Sequence, residues 1–327
     1  MGPHLLVADP SALGDSNTAK LPAKCFCRSS VACRLSGDAM IAACAGPDPA
    51  PRRPKIIPPS GACDCHAHVF GPIDRYPFVA DRSYTPPEAS YESYREMLRV
   101  LGLDRAVIVQ PSVHGTDNRV TMDAVARANG DFRAVVVVDD TVMDSELEEM
   151  AAGGARGVRL NLLYRSGSEV SDVRRLAERI APLGWHLQVL IDVSTFGDLR
   201  RRLGELPVDV VFDHMGHLPT AKGTSDPGFT DMLALIREGR AWAKLSGAYR
   251  FTGETQPPYS DVLPFARAIV EADPERCVWA TDWPHPSVTI PMPNDGALLD
   301  ILADWVPDEA TRNNILVANP AKLYGFA

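Results

Sequence analysis

From residue 61 onward the chain alternates between short, nearly continuous apolar runs and longer stretches with a helical period. The runs are ACDCHAHVF, RAVIVQPS, FRAVVVVD, GVRLNLL, HLQVLID, VDVVFDHMG, AWAKLSG and CVWATDWP. Apolar runs rich in β-branched residues are what strands buried on both faces look like. Between them, ESYREMLRVLGL sets Met97, Leu98 and Leu101 on one helical face and closes on a glycine. DVRRLAERIAPLG, STFGDLRRRLGEL and FTDMLALIREG repeat the pattern, with Ser171 and Ser194 as expected N-caps. Eight strands alternating with helices predict an α/β fold, a (β/α)8 TIM-like barrel over residues 59–327. An open doubly wound sheet is the alternative, but no G-x-G-x-x-G follows the first run, so a dinucleotide fold has no support. The tail PDEATRNNILVANPAKLYGF reads as a last helix, an Asn-Pro break and a closing turn.

Residues 1–58 break this rhythm. The first sixty residues hold nine of the 28 prolines and four of the seven cysteines, and carry +3 where the whole chain carries −9. We expect a disordered extension here, or an artefact of start-site choice with Met40 as an alternative start. Cys25, Cys27, Cys33 and Cys44 lack the paired spacing of a zinc module. An odd cysteine count in a chain large enough to bury its own core argues against a disulfide framework and fits a reducing cytoplasm. The acidic balance argues against a nucleic-acid partner. No apolar run reaches the ~20 residues that span a membrane. The oligomeric state is left open.

In a barrel of this kind the active site lies at the C-terminal ends of the strands. The first run ends in His66 and His68, two apart and therefore on one face. Cys63 and Cys65 are read as small core residues on that face, deeper in the strand. The second run ends in Gln110 and Ser112. The fourth carries Arg159 and Asn161, with Arg165 just beyond, and the fifth carries Gln188. The sixth ends in Asp213, His214 and His217, the seventh in Lys244 and Ser246 with Arg250 following, and the eighth in Asp282 and His285. His186 opens its run and should lie at the opposite end of the barrel. An arginine within an apolar run, such as Arg159, is poorly tolerated unless an anion pairs with it. Its planar fork suits a carboxylate, so several such arginines imply a substrate with more than one.

The set DCHAH, DHMG and TDWPHP resembles the amidohydrolase superfamily. With GVRLNLLYR and LSGAYR it is similar, more narrowly, to the 2-pyrone-4,6-dicarboxylate lactonase group of the family-2 amidohydrolases. The resemblance covers roughly residues 60–327. It implies hydrolysis of a carboxylated lactone, with Asp282 as the base that activates water. His66, His68 and His214 would polarise the carbonyl as hydrogen-bond donors, and Arg159, Arg165 and Arg250 would hold carboxylates. Tyr84 and Ser112 would complete the lining. His217 stands where the group leads us to expect an arginine. Most of the superfamily binds one or two divalent metals, but Arg159 and Gln188 stand where further ligands are expected. The pyrone-dicarboxylate group implies that no metal is required. The alternative is one divalent ion such as zinc on His66, His68, His214 and Asp282. A metal-dependent decarboxylase and a lactonase for sugar acids or sulfomuconolactones are the competing activities. A non-catalytic barrel that binds a small acid is disfavoured by the His and Asp set at the strand ends.

Overall fold

Each of the eight apolar runs becomes a strand. The computed structural model describes residues 41, 43–161, 163 and 172–327. The strands are β1 Cys63–Ala67, β2 Arg105–Val109, β3 Phe132–Val136, β4 Ala155–Asn161, β5 His186–Leu190, β6 Val210–Phe212, β7 Ala241–Leu245 and β8 Cys277–Trp279. They pair in parallel in sequence order, β1 to β8. The helices between them are α1 Tyr91–Leu101, α2 Arg119–Arg127, α3 Asp144–Ala152, α4 Val173–Ile180, α5 Leu199–Gly204, α6 Pro227–Arg237 and α7 Leu263–Ala272. After β8 come α8 Asp295–Trp305, α9 Glu309–Asn313 and α10 Asn319–Tyr324. This is the expected (β/α)8 barrel.

Alternation along the strands sorts the core into two shells. Val107, Val109, Val135, Val211, Trp242 and Val278 form an inner cluster with Cys63, Cys65 and Tyr324. Their neighbours Ala106, Ile108, Ala134, Phe212 and Ala243 join the larger cluster under the helices. Each fully buried valine, leucine, isoleucine or phenylalanine contributes about 1.5–3 kcal/mol of transfer free energy. In α1, Tyr94, Met97, Leu98 and Leu101 are the buried face, and Gly102 ends the helix in the left-handed conformation at φ 77°.

Strict alternation would put Cys63 and Cys65 on the face opposite His66 and His68. The structure places all four inside, because the β1–β2 register shifts between Asp64 and Ala67. That irregularity turns consecutive residues, Cys65 and His66, both toward the interior. Asp64 points outward instead. It accepts from Tyr94 Oη at 2.9 Å and from the Thr281 backbone N–H at 2.9 Å.

Two backbone bonds bring the ring's first and last strands together. The Asp282 N–H donates to the His66 carbonyl, and the His68 N–H to the Trp283 carbonyl, both at 2.8 Å. Ile41–Ala327 form one compact unit. Part of the segment expected to be disordered therefore lies on the barrel. The Cys44 N–H donates to the Thr85 carbonyl at 2.8 Å, and Asp300 on α8 accepts from Arg52 and from the Lys55 N–H, both at 2.6 Å. Among the expected caps, Ser171 lies outside the described residues, and Asp172 caps α4 by accepting from the Arg175 N–H. Ser194 is not the cap of α5. It sits in a separate turn whose cap is Asp192, and α5 starts after Asp198. Among the described residues no helix is long and apolar enough to cross a membrane.

Candidate active site

The mouth of the barrel gathers residues from seven strand ends into one cavity. His68, Tyr84, Ser112, Arg159, His214, His217, Arg250 and Asp282 line it, together with Asn161, Leu190, Pro286 and Ser287. His66 lies fully buried beside His68, their Nε2 atoms 3.3 Å apart. All the expected site residues thus meet at one place except Arg165, which lies outside the described residues. His186 is at the other end, its ring packed against Tyr324 at 5.4 Å between centroids. There Gly157 leaves it room, since a Cβ at that position would sit 2.6 Å from His186 Nε2.

The backbone that carries these groups is unusual. Asp282, His214, His217 and His285 all have positive φ, between 48° and 66°. Such conformations cost energy in non-glycine residues and concentrate at functional sites. Gly247 is required on the facing loop. Its φ is +62°, and a Cβ there would lie 2.6 Å from His214 Nδ1.

Hydrogen bonds at Nδ1 orient the three histidines. His68 Nδ1 lies 2.7 Å from the Val109 carbonyl. A carbonyl only accepts, so the ring's proton sits on Nδ1 and Nε2 offers a lone pair. His214 Nδ1 meets Ser246 Oγ at 3.0 Å. His66 Nδ1 has two partners, Asp213 Oδ1 at 3.1 Å and Lys244 Nζ at 3.2 Å, and can serve only one at a time. Burial pushes all three rings down from the ordinary histidine value: His68 to about 4, His214 to about 3, and His66 well below it. His217 is likewise pushed down to about 4 by burial. Neutral His68 therefore accepts rather than donates through Nε2, which corrects the donor role expected of it.

Two carboxylates lie inside this cage. Burial by itself would raise both, but their cationic neighbours hold them well below the usual carboxylate range. Asp213 lies between His66, Lys244 Nζ at 3.5 Å and Arg159 Nε at 3.0 Å. Asp282 receives Arg250 Nε at 2.5 Å and Tyr249 Oη at 2.6 Å, both on Oδ2. Its Oδ1 has no hydrogen-bond partner among the described residues. That atom faces His66 Nε2 at 3.8 Å and His68 Nε2 at 3.7 Å, while His214 Nε2 is 3.7 Å from Oδ2. Lys244, fully buried, donates to Gln188 Oε1 at 2.7 Å. Asp213 and Lys244 are thus part of the site although their strand-end positions did not mark them for a role. The readable signal was charge inside an apolar run.

These donors fit a single divalent ion. Tetrahedral zinc ligands at 2.0–2.1 Å from the metal stand about 3.3 Å apart, close to the separations among the Nε2 atoms and Asp282. His66, His214 and Asp282 also offer ligand atoms that all lie within 4.8 Å of one another. The Nδ1 partners are the outer shell that metal-binding histidines use.

The family model "Amidohydrolase" matches residues 63–326. This chain belongs to the amidohydrolase family. It is 38% identical over 287 residues to a 4-sulfomuconolactone hydrolase of Hydrogenophaga intermedia, covering 86% of this chain and 94% of that protein. It is 38% identical over 285 residues to a 2-pyrone-4,6-dicarboxylate hydrolase of Comamonas testosteroni, covering 84% and 93%. Among solved structures it is similar to a probable 2-pyrone-4,6-dicarboxylic acid hydrolase of Acinetobacter baumannii with citric acid bound. There the identity is 28%, the TM-score 0.72 and the coverage 81% of this chain and 100% of that one.

Proposed function

We propose that this amidohydrolase opens a cyclic ester that carries carboxylates, with 2-pyrone-4,6-dicarboxylate or a close analogue as substrate. The observation that carries the reading is Asp282. Its Oδ2 is held by two donors, while its partnerless Oδ1 faces the Nε2 atoms of His66 and His68. An ionised carboxylate in that position takes a proton from water as a general base. The Nε2 lone pair of His68 accepts a hydrogen bond from the water's second O–H and helps aim its oxygen at the lactone carbonyl.

Positive charge at the cavity supports an anionic substrate. Arg159 gives Nε to Asp213 and lines the cavity, so the rest of its fork suits a carboxylate. Arg250 lines the cavity as well, and Arg165 follows in sequence. Tyr84, Ser112 and the neutral ring of His217 supply polar contacts. The citric acid held by the Acinetobacter relative is also a polycarboxylate.

In this reading no metal is required. Lys244, Arg159 and Arg250 outnumber Asp213 and Asp282, so the site carries positive charge of its own. The free Oδ1 and the converging Nε2 atoms favour a second reading, in which one divalent ion binds there and acts as a Lewis acid. Metal analysis of purified protein, followed by loss of pyrone absorbance with and without chelator, separates the two. Absence of any pyrone turnover would remove the substrate assignment.

A further inference from the structure

Behind Asp282 runs a chain of buried groups that the hydrolysis as described does not use. Tyr249 Oη, which donates to Asp282 Oδ2, also lies 2.9 Å from His285 Nδ1. His285 Nε2 in turn lies 3.0 Å from Asp295 Oδ1. Asp282, His285 and Asp295 are completely buried, and Tyr249 nearly so. Asp295 is the first residue of α8, so the chain ends on a fixed element.

The direction of these bonds follows from counting protons. Burial keeps the Tyr249 phenol in its protonated form, and a phenol has one proton to give. Committed to the Asp282 carboxylate, it leaves the oxygen to accept from His285 Nδ1–H. Asp295 Oδ1 only accepts, so in this arrangement Nε2 carries a proton as well, and the His285 ring is held in plane as an imidazolium by its ion pair with Asp295. The terminal torsion of an aspartate is broad, so the plane of the carboxylate turns easily unless something holds it. Here two donors from fixed directions grip Oδ2 and none grips Oδ1.

We propose that Tyr249, set in place by His285 and Asp295, is a positioning residue that locks the Asp282 carboxylate with Oδ1 turned to the reacting centre. The kinetic consequence rests on Asp282 being the base of the proposed hydrolysis. The orientation of the carboxylate does not.

The test uses Tyr249→Phe, His285→Asn and the double variant of the full chain. With the pyrone dicarboxylate, Tyr249→Phe should lower kcat roughly ten- to hundredfold, the range of a hydrogen bond to a charged group, with KM unchanged. His285→Asn should lower kcat in the native background and add nothing on top of Tyr249→Phe, because it acts through the phenol. In crystals of Tyr249→Phe the Asp282 carboxylate should be rotated or split between two orientations. Additive losses, or a carboxylate unmoved in Tyr249→Phe, would overturn the proposal. Should the native chain turn over no lactone, the hydrolase reading fails, and the carboxylate orientation still decides this one.

Discussion

Asp282 donates its backbone N–H to the carbonyl of His66 across 2.8 Å. This bond between β1 and the segment after β8 helps close the ring, and it sets the proposed base beside the histidine cage. Fold closure and site assembly are thus the same event. Asp282→Asn leaves that backbone bond intact and removes the ionisable oxygen. It should cost roughly 10²–10⁴-fold in kcat, the share of a general base, with circular dichroism unchanged. Near-normal turnover would sink the assignment of Asp282.

Arg159 serves two partners, Asp213 through Nε and the cavity through the rest of its fork. Arg159→Met would remove both and confuse binding with folding, since it strips a buried carboxylate of one cation. Arg159→Lys keeps a charge near Asp213 but loses the planar fork. It should raise KM by roughly ten- to hundredfold with a smaller change in melting temperature. Unchanged Michaelis behaviour would remove the dicarboxylate argument.

Lys244 is the buried cation shared by Asp213, Gln188 and His66. Removing one partner of a buried ion pair is strongly destabilising, by about 3–5 kcal/mol, because the other charge is left uncompensated. Arg159 still faces Asp213, so Lys244→Met should fall at or below the lower end of that range in urea unfolding. Adding Asp213→Asn should restore part of the loss. A double variant no more stable than the sum of the singles would show that the two charges are not coupled.

The barrel and most of its mouth were legible because strand periodicity fixes which residues end each run. His66, His68, Arg159, His214, Arg250 and Asp282 all follow from that rule. Features set by contacts between distant segments were not legible. The register shift in β1 begins at Asp64, whose partners Tyr94 and Thr281 come from distant segments, and no local pattern encodes it. The pairing of Arg250 with Asp282, and the line from Tyr249 through His285 to Asp295 on α8, join separate segments. LSGAYR and TDWPHP contain Tyr249 and His285, but a motif does not say which atoms meet. The contacts of Arg52 and Lys55 with the barrel were not legible either, because their partner Asp300 lies more than 240 positions away.

The buried imidazoles should make the protein lose stability in acid. Burial pushes His68 to about 4, His186 and His214 to about 3, and His66 well below the ordinary value. In the unfolded chain each titrates near 6.5. Below that pH the unfolded chain binds protons that the folded chain refuses, so stability is full above about 6.5 and declines as the pH falls toward 4. Asp64 works the other way. Burial raises it to about 6, so between that value and about 3.9 the folded state takes up one proton first. Asp213 and Asp282, held below the usual carboxylate range, add losses only under about pH 4. With His114 and His217, likewise pushed down by burial, six histidines against one aspartate leave the slope downhill, each net proton being about 1.4 kcal/mol per pH unit. The urea midpoint should therefore drop steeply from pH 7 to pH 5. A level midpoint across that window would mean that the folded cage accepts protons, and the neutral histidines assigned to it would have to be abandoned.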